Sequence, residues 1–145
     1  MHIDESQLKN FILDSGLVSR SDVEAAEREV KEKNISIGEA LVSRGEMSDD
    51  DLRRMRAHIL GISFINLKNE KIPYEVLSII PEPIARGHNI VAFRKTGAGL
   101  EVAMLNVEDL ATVDFVKKKT GLKILPRLTS VESIRDAILQ YQKNL

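Results

Sequence analysis

The stretch IVAFRKTGAGLEVAML, residues 90–105, decides the fold class. Leu100, Val102 and Met104 alternate with Glu101 and Ala103, the period of a strand with one buried face. KTGAG ahead of them supplies the turn that joins this strand to the apolar run IVAF. A β-hairpin in a chain whose other apolar residues recur mostly at helical spacing makes the protein α+β.

Downstream of the hairpin, Asn106 with Asp109 opens a helix that Gly121 closes. KILPRL (residues 123–128) reads as a short strand, and Pro126, which cannot donate to a ladder, argues for an edge position. Thr129 with Glu132 forms a capping box, after which Val131, Ile134, Ile138 and Tyr141 give the last helix one apolar face. Upstream, Pro73 suits a first helical position, Val76, Leu77 and Ile80 make an apolar stripe, and Pro81 and Pro83 end it. Residues 69–145 are therefore expected to form a small α/β subdomain, a three-stranded sheet packed with helices.

Residues 1–68 read as a helical subdomain built by duplication. LKNFILDSGLVSRSDV (residues 8–23) and IGEALVSRGEMSDDDL (residues 37–52) share one grammar. Leu8, Phe11, Ile12 and Gly16 correspond to Ile37, Ala40, Leu41 and Gly45. Ser19 with Asp22 then corresponds to Ser48 with Asp51, and Val23, Ala26 and Val30 to Leu52, Met55 and Ile59. Each copy is a short helix stopped by a glycine and followed by a capped, longer helix. Two copies make a pair of helical hairpins rather than a solenoid.

Composition narrows the function classes. With no cysteine among 145 residues, disulfides, thiolate nucleophiles and cysteine metal sites are excluded. No apolar run approaches the roughly 20 residues of a membrane span, and MHIDESQLKN is too polar for a secretory signal, so the expected location is cytoplasmic. Residues 1–70 hold 10 Lys+Arg against 14 Asp+Glu, and residues 71–145 hold 11 against 8. That mild asymmetry does not nominate nucleic acid or an anionic membrane as the partner.

No phosphate-binding Gly-x-x-x-x-Gly-Lys-Ser/Thr loop occurs, since the lysine of KTGAG (Lys95–Gly99) precedes its glycines. His2, His58 and His88 lack metal-motif spacing. Asp49, Asp50 and Asp51 suit the positive end of a helix, and the runs Arg53, Arg54, Arg56 and Lys117–Lys119 read as solvated faces. No catalytic constellation is expected.

LGISFINL (Leu60–Leu67), IPEPIARGHNIVAFRKTGAGLEVAMLNVEDL and TGLKILPRLTSVESIRDAI follow one another in an order that resembles the N-terminal domain of type II secretion and type IV pilus assembly ATPases. The resemblance runs from about Gln7 to Tyr141. It implies a noncatalytic domain that precedes an ATPase motor and docks on the cytoplasmic part of an inner-membrane assembly protein, the domain being peripheral to that membrane only through its partner. In some members such a domain binds cyclic di-GMP through a duplicated motif, roughly Arg-Leu-Gly-x-x-Leu-x-x-x-Gly with a terminal Gln. Arginine would fork onto guanine or phosphate, glycine would admit the backbone, and leucines would cover the purine.

Carried onto this sequence, the motif keeps Leu8, Ile12 and Gly16 in the first copy and Ile37, Gly38, Leu41 and Gly45 in the second. The arginine positions hold Gln7 and Ser36, the first copy's early glycine is Lys9, and the terminal glutamines are Val30 and Ile59. Lys9, Arg20 and Arg44 are the cations that could substitute. The leading expectation is a docking and regulatory domain without a cofactor. The alternatives are a cyclic di-GMP sensor that uses those seven positions and a winged-helix-like DNA binder, against which the net charge of −1 counts.

Overall fold

Serine hydroxyls start three of the helices in the first half of the chain. In the computed structural model, which describes residues 3–143, Ser19, Ser36 and Ser48 accept from the N–H groups of Asp22, Glu39 and Asp51 at 3.2, 3.1 and 3.0 Å. At Ser48 the box is complete, because Asp51 Oδ2 accepts from the Ser48 N–H at 3.1 Å. The helices are α1 (Glu5–Ser15), α2 (Arg20–Lys33), α3 (Ile37–Ser43) and α4 (Asp49–Leu60). Gly16 and Gly45 follow α1 and α3 at φ 72° and 76°, the left-handed backbone that lets each hairpin reverse.

The chain divides into two compact units, Met1–Gly61 and Ile62–Leu145. In the first, α1–α4 close around one core of Leu8, Ile12, Val23, Ala26, Leu41 and Met55 with their neighbours. Ile12, Ala26, Ala40 and Leu41 are wholly shielded from solvent, and each large aliphatic side chain buried this way contributes about 1.5–3 kcal/mol.

The second unit carries β1 (Phe64–Ile65), α5 (Tyr74–Leu77), α6 (Glu82–His88), β2 (Ile90–Thr96), β3 (Gly99–Met104), α7 (Leu110–Thr120), β4 (Ile124–Thr129) and α8 (Val131–Gln142). Its sheet has the order β1-β4-β3-β2, with β4 parallel to both β1 and β3 and β2 antiparallel to β3. α7 is the crossover between parallel β3 and β4 and packs on β4, whereas α5, α6 and α8 pack against β2. Gly99 is required at the hairpin, since at φ 149° a Cβ there would collide with the Lys123 carbonyl.

Several expectations are corrected. The sheet has four strands rather than three, because Phe64–Ile65 pairs with Leu128–Thr129; the boundary accordingly falls at Gly61/Ile62 and not at 68/69. β4 is not an edge strand. Pro126 is nonetheless tolerated, since β1 reaches only Leu128 and Thr129 and leaves the flank of Pro126 away from β3 without a strand. Pro81 and Pro83 begin α6 instead of merely ending α5, as proline in a first turn costs no hydrogen bond.

Two caps lie downstream of the residues expected to make them. Ser130, not Thr129, caps α8 by accepting from the Ser133 N–H at 3.1 Å, and Thr129 Oγ1 donates instead to the Ile65 carbonyl at 2.7 Å. Asp109 caps α7, while Asn106 Oδ1 makes a turn with the Glu108 N–H at 3.0 Å.

One helix fixes the irregular backbone between β1 and α6. Ser133 Oγ accepts from the Leu67 N–H at 3.0 Å. Gln140 accepts from the Ile72 N–H at 2.9 Å and donates to the Glu70 carbonyl at 2.7 Å. The buried Tyr141 hydroxyl donates toward the Ile80 carbonyl at 2.6 Å, with the Leu77 carbonyl at 3.1 Å, and burial first, then the Glu82 charge, pushes this phenol's pKa well above its ordinary value. Replacing Tyr141 by Phe leaves those carbonyls dry and unpaired; we expect a loss of about 1–3 kcal/mol in urea unfolding followed by circular dichroism.

Candidate functional site

All seven motif positions lie in the first unit, where Leu8, Ile12, Ile37, Gly38 and Leu41 are buried and Gly16 and Gly45 are exposed at the helix ends. Leu8, Ile12, Ile37 and Leu41 are each no more than 3% exposed and belong to one core. Gly38 lets α3 approach α4, since a Cβ there would lie 2.7 Å from Leu52 Cδ1. Gly16 and Gly45 have open space where a Cβ would be, so positive φ is what selects glycine there.

The positions that depart from the motif are occupied structurally. Ser36 is the N-cap of α3, and Gln7 is exposed on α1. Val30 and Ile59 pack against the core. Lys9 is held by Glu27 across α1 and α2 at 3.0 Å. Arg44 reaches Glu46 at 2.9 Å and Glu29 at 3.2 Å, and these carboxylates raise the guanidinium pKa further, which keeps it charged. Arg20 is exposed at the start of α2.

A cavity of about 320 Å³ lies among α1, α2 and α3, lined by Glu5, Lys9, Glu27, Val30, Lys31 and Ile37. Glu5 Oε2 accepts from the Ile37 N–H at 2.9 Å, so a carboxylate already takes the donor that an anionic ligand would seek at the start of α3. Two carboxylates face two lysines, and the lining is electrically neutral. A dianion finds no net attraction there.

The other polar residues singled out by the sequence have local duties. Asp50 pairs with Arg53 at 3.1 Å, and Asp51 completes the capping box. The His58 ring packs against Phe11 with centroids 5.1 Å apart, and His2 lies outside the described residues. Among the described residues, no group of three His, Cys, Asp or Glu side chains could hold a metal ion, and no helix is long and apolar enough to cross a membrane. The β2–β3 hairpin is built into a mixed four-stranded sheet in which β3 and β4 run parallel.

His88 and Asp109 meet through Thr112. The Thr112 hydroxyl donates to Asp109 Oδ2 at 2.6 Å and its N–H to Oδ1 at 3.2 Å, leaving His88 Nδ1, 3.3 Å away, as the donor to the hydroxyl oxygen. The two Thr112 bonds, hydroxyl first, hold the Asp109 carboxyl below its ordinary pKa, with a smaller contribution from His88.

The features that sequence reading did not find lie in the second unit, on either side of residues 69–73. One groove, of about 650 Å³, runs between this segment and α8 and includes Tyr74 and Leu139, which are 44% and 55% exposed. The other, of about 660 Å³, runs between the segment and β2, past Ile65, Lys71, Val76, Phe93, Arg94 and Lys95. Neither has a local signature, because each joins segments at least 17 positions apart in the chain. Leu110 and Phe115 add exposed apolar surface on α7.

The MshEN domain family matches residues 60–145. The type IV pilus assembly ATPase PilB of Myxococcus xanthus is 29% identical over 135 residues, covering 93% of this chain and 24% of that protein. PilB of Thermus thermophilus is 25% identical over 145 residues, covering 99% of this chain and 16% of that protein. The chain thus spans a quarter or less of the length of these relatives. Among solved structures, MshE with cdg superposes at a TM-score of 0.76 with 21% identity, covering 92% of this chain and 97% of that one. The N-terminal domain of XpsE superposes at 0.67 with 17% identity, covering 97% and 98%. Both structures share this α+β fold.

Two outcomes test these assignments. Leu41→Ala should cost about 2–5 kcal/mol in urea unfolding, as a core residue does and a ligand contact does not. Asp109 ionises below its ordinary range in the folded chain, so its contribution is complete above the unfolded value and disappears as pH falls through the folded one. The difference in urea midpoint between wild type and Asp109→Asn should therefore be full above about pH 5 and close toward lower pH.

Proposed function

The chain belongs to the MshEN domain family, that of the N-terminal domains of type II secretion and type IV pilus assembly ATPases, and from that membership we propose that it is a noncatalytic docking and regulatory domain. It binds the cytoplasmic part of an inner-membrane assembly protein and passes the partner's position to an ATPase motor joined at its C-terminal side. It works in the cytoplasm and meets the membrane only through that partner.

The observation that carries this reading is where the apolar surface is spent. The side chains a nucleotide would need are consumed by the first unit's core, while Tyr74, Leu110, Phe115 and Leu139 of the second are 44–57% exposed. Exposed aromatic and leucine side chains flanked by charges are what protein interfaces use as anchors. The ionisable groups also favour binding over chemistry: Asp109, Asp51 and Asp50 are each engaged in a cap or an ion pair.

A cyclic di-GMP sensor is the second reading, favoured by the likeness to MshE with cdg. A guanine or phosphate contact made by arginine is a charged hydrogen bond of about 1.5–3 kcal/mol, and the positions for two such contacts hold Gln7 and Ser36. The loss lowers affinity by orders of magnitude. We expect the cognate partner's cytoplasmic region to bind in a pull-down and by calorimetry at micromolar concentration. Cyclic di-GMP should give no binding heat at high micromolar concentration; submicromolar binding would reverse the order of the two readings.

A further inference from the structure

The outer edge of β2 ends its burial abruptly. Ile90, Val91 and Ala92 are 0% exposed, Phe93 is half-buried, and Arg94, Lys95 and Thr96 are exposed. The change coincides with an irregularity in the β2–β3 register between Ala92 and Arg94. Because β2 is the last strand in the order β1-β4-β3-β2, no strand among the described residues lies on its far side. Beside this stretch runs the groove of about 660 Å³.

The groove is apolar at Ile65, Val76 and Phe93 and basic at Lys71, Arg94 and Lys95, with Glu70 as the only acidic residue in its lining. Arg94 is paired with Glu101 at 2.8 Å and lies over the Phe93 ring at 5.5 Å. Lys71 and Lys95 are exposed and make no ion pair among the described residues. An open strand edge binds an extended chain through main-chain hydrogen bonds, and its flanking side chains choose the sequence. A bulge and edge lysines are also what deters another neutral or basic strand from pairing. Here the same lysines admit an acidic one.

We propose that the part of the groove between residues 70–76 and the Phe93–Thr96 edge of β2 receives an extended, acidic segment of a protein partner, which adds to the sheet as a fifth strand. Alternate apolar side chains of that segment meet Phe93 and Val76, and its intervening carboxylates meet Lys71 and Lys95. This deepens the docking reading and rests on it.

The test uses the whole chain, two labelled peptides, one of alternating Glu and Val and one of alternating Lys and Val, and the partner's cytoplasmic region. The Glu/Val peptide should bind, shift the amide resonances of Phe93–Thr96 and slow their hydrogen exchange. The Lys/Val peptide should bind about tenfold more weakly or worse. Lys71→Glu with Lys95→Glu, both at exposed positions that leave the circular dichroism spectrum unchanged, should reverse that preference and weaken the partner by about tenfold or more. No peptide binding, or amide shifts confined elsewhere, would overturn the proposal. If the partner binds wild type and the double variant equally, the groove is wrong while the docking reading stands. If the partner binds neither, the docking reading itself has failed.

Discussion

The second unit depends on α8 answering the polar backbone that leaves β1. With only two residues in β1, the chain from Leu67 to Ile80 has little ladder to satisfy its amides and carbonyls, and each one left dry and unpaired would cost about 1–3 kcal/mol. Ser133 and Gln140 stand two helical turns apart on one line of α8 and take up Leu67, Glu70 and Ile72, while Tyr141 reaches Leu77 and Ile80. Ile134, Ala137 and Ile138 are buried on the same helix. One amphipathic helix therefore both closes the core and dictates the course of a connecting segment. The two grooves flank the segment so fixed, one between residues 69–73 and α8 and the other between those residues and β2.

The first unit shows what two copies of a helical hairpin must share in order to pack. The two glycines with positive φ, the Ser19 and Ser48 caps and the apolar positions between them persist in both copies, because helical hairpins need them to reverse and to pack. The copies differ where packing is indifferent. Leu17 is 49% exposed, and its counterpart Glu46 is an ion-pair partner of Arg44. At the arginine positions, Ser36 has become a cap and Gln7 a surface residue. Glu5 supplies the negative charge that the start of α3 favours.

Legibility followed the range of the interaction. Serine caps, stop glycines and the β2–β3 hairpin are written within a few residues, and the duplication and the helical half could be read from them. The misplaced caps have different causes: Thr129 is claimed by the distant Ile65 carbonyl, and Asn106 by a local turn onto the Glu108 N–H. β1 escaped notice because two residues carry no periodicity, and its existence depends on a partner 64 positions away. Pro126 misled because an edge is a property of a residue's own flank and not of the whole strand. The motif residues were identified by position, but whether Leu8 and Ile37 face a cleft or a core could not be read from helical spacing alone.

The charge arrangement separates the kinds of ligand the two units can hold. A small dianion asks several donors to converge on one point and to be free when it arrives. In the first unit two of the three candidate donors face carboxylates instead, Lys9 with Glu27 and Arg44 with Glu29 and Glu46, so an anion must displace an existing pair before it gains from either. In the second unit Lys71 and Lys95 stand apart along a groove, and neither makes an ion pair among the described residues. Charges spaced that way match a ligand whose own charges recur along an extended chain, where same-face side chains repeat about every 7 Å. Such a ligand also brings backbone groups for a strand edge, which a nucleotide does not.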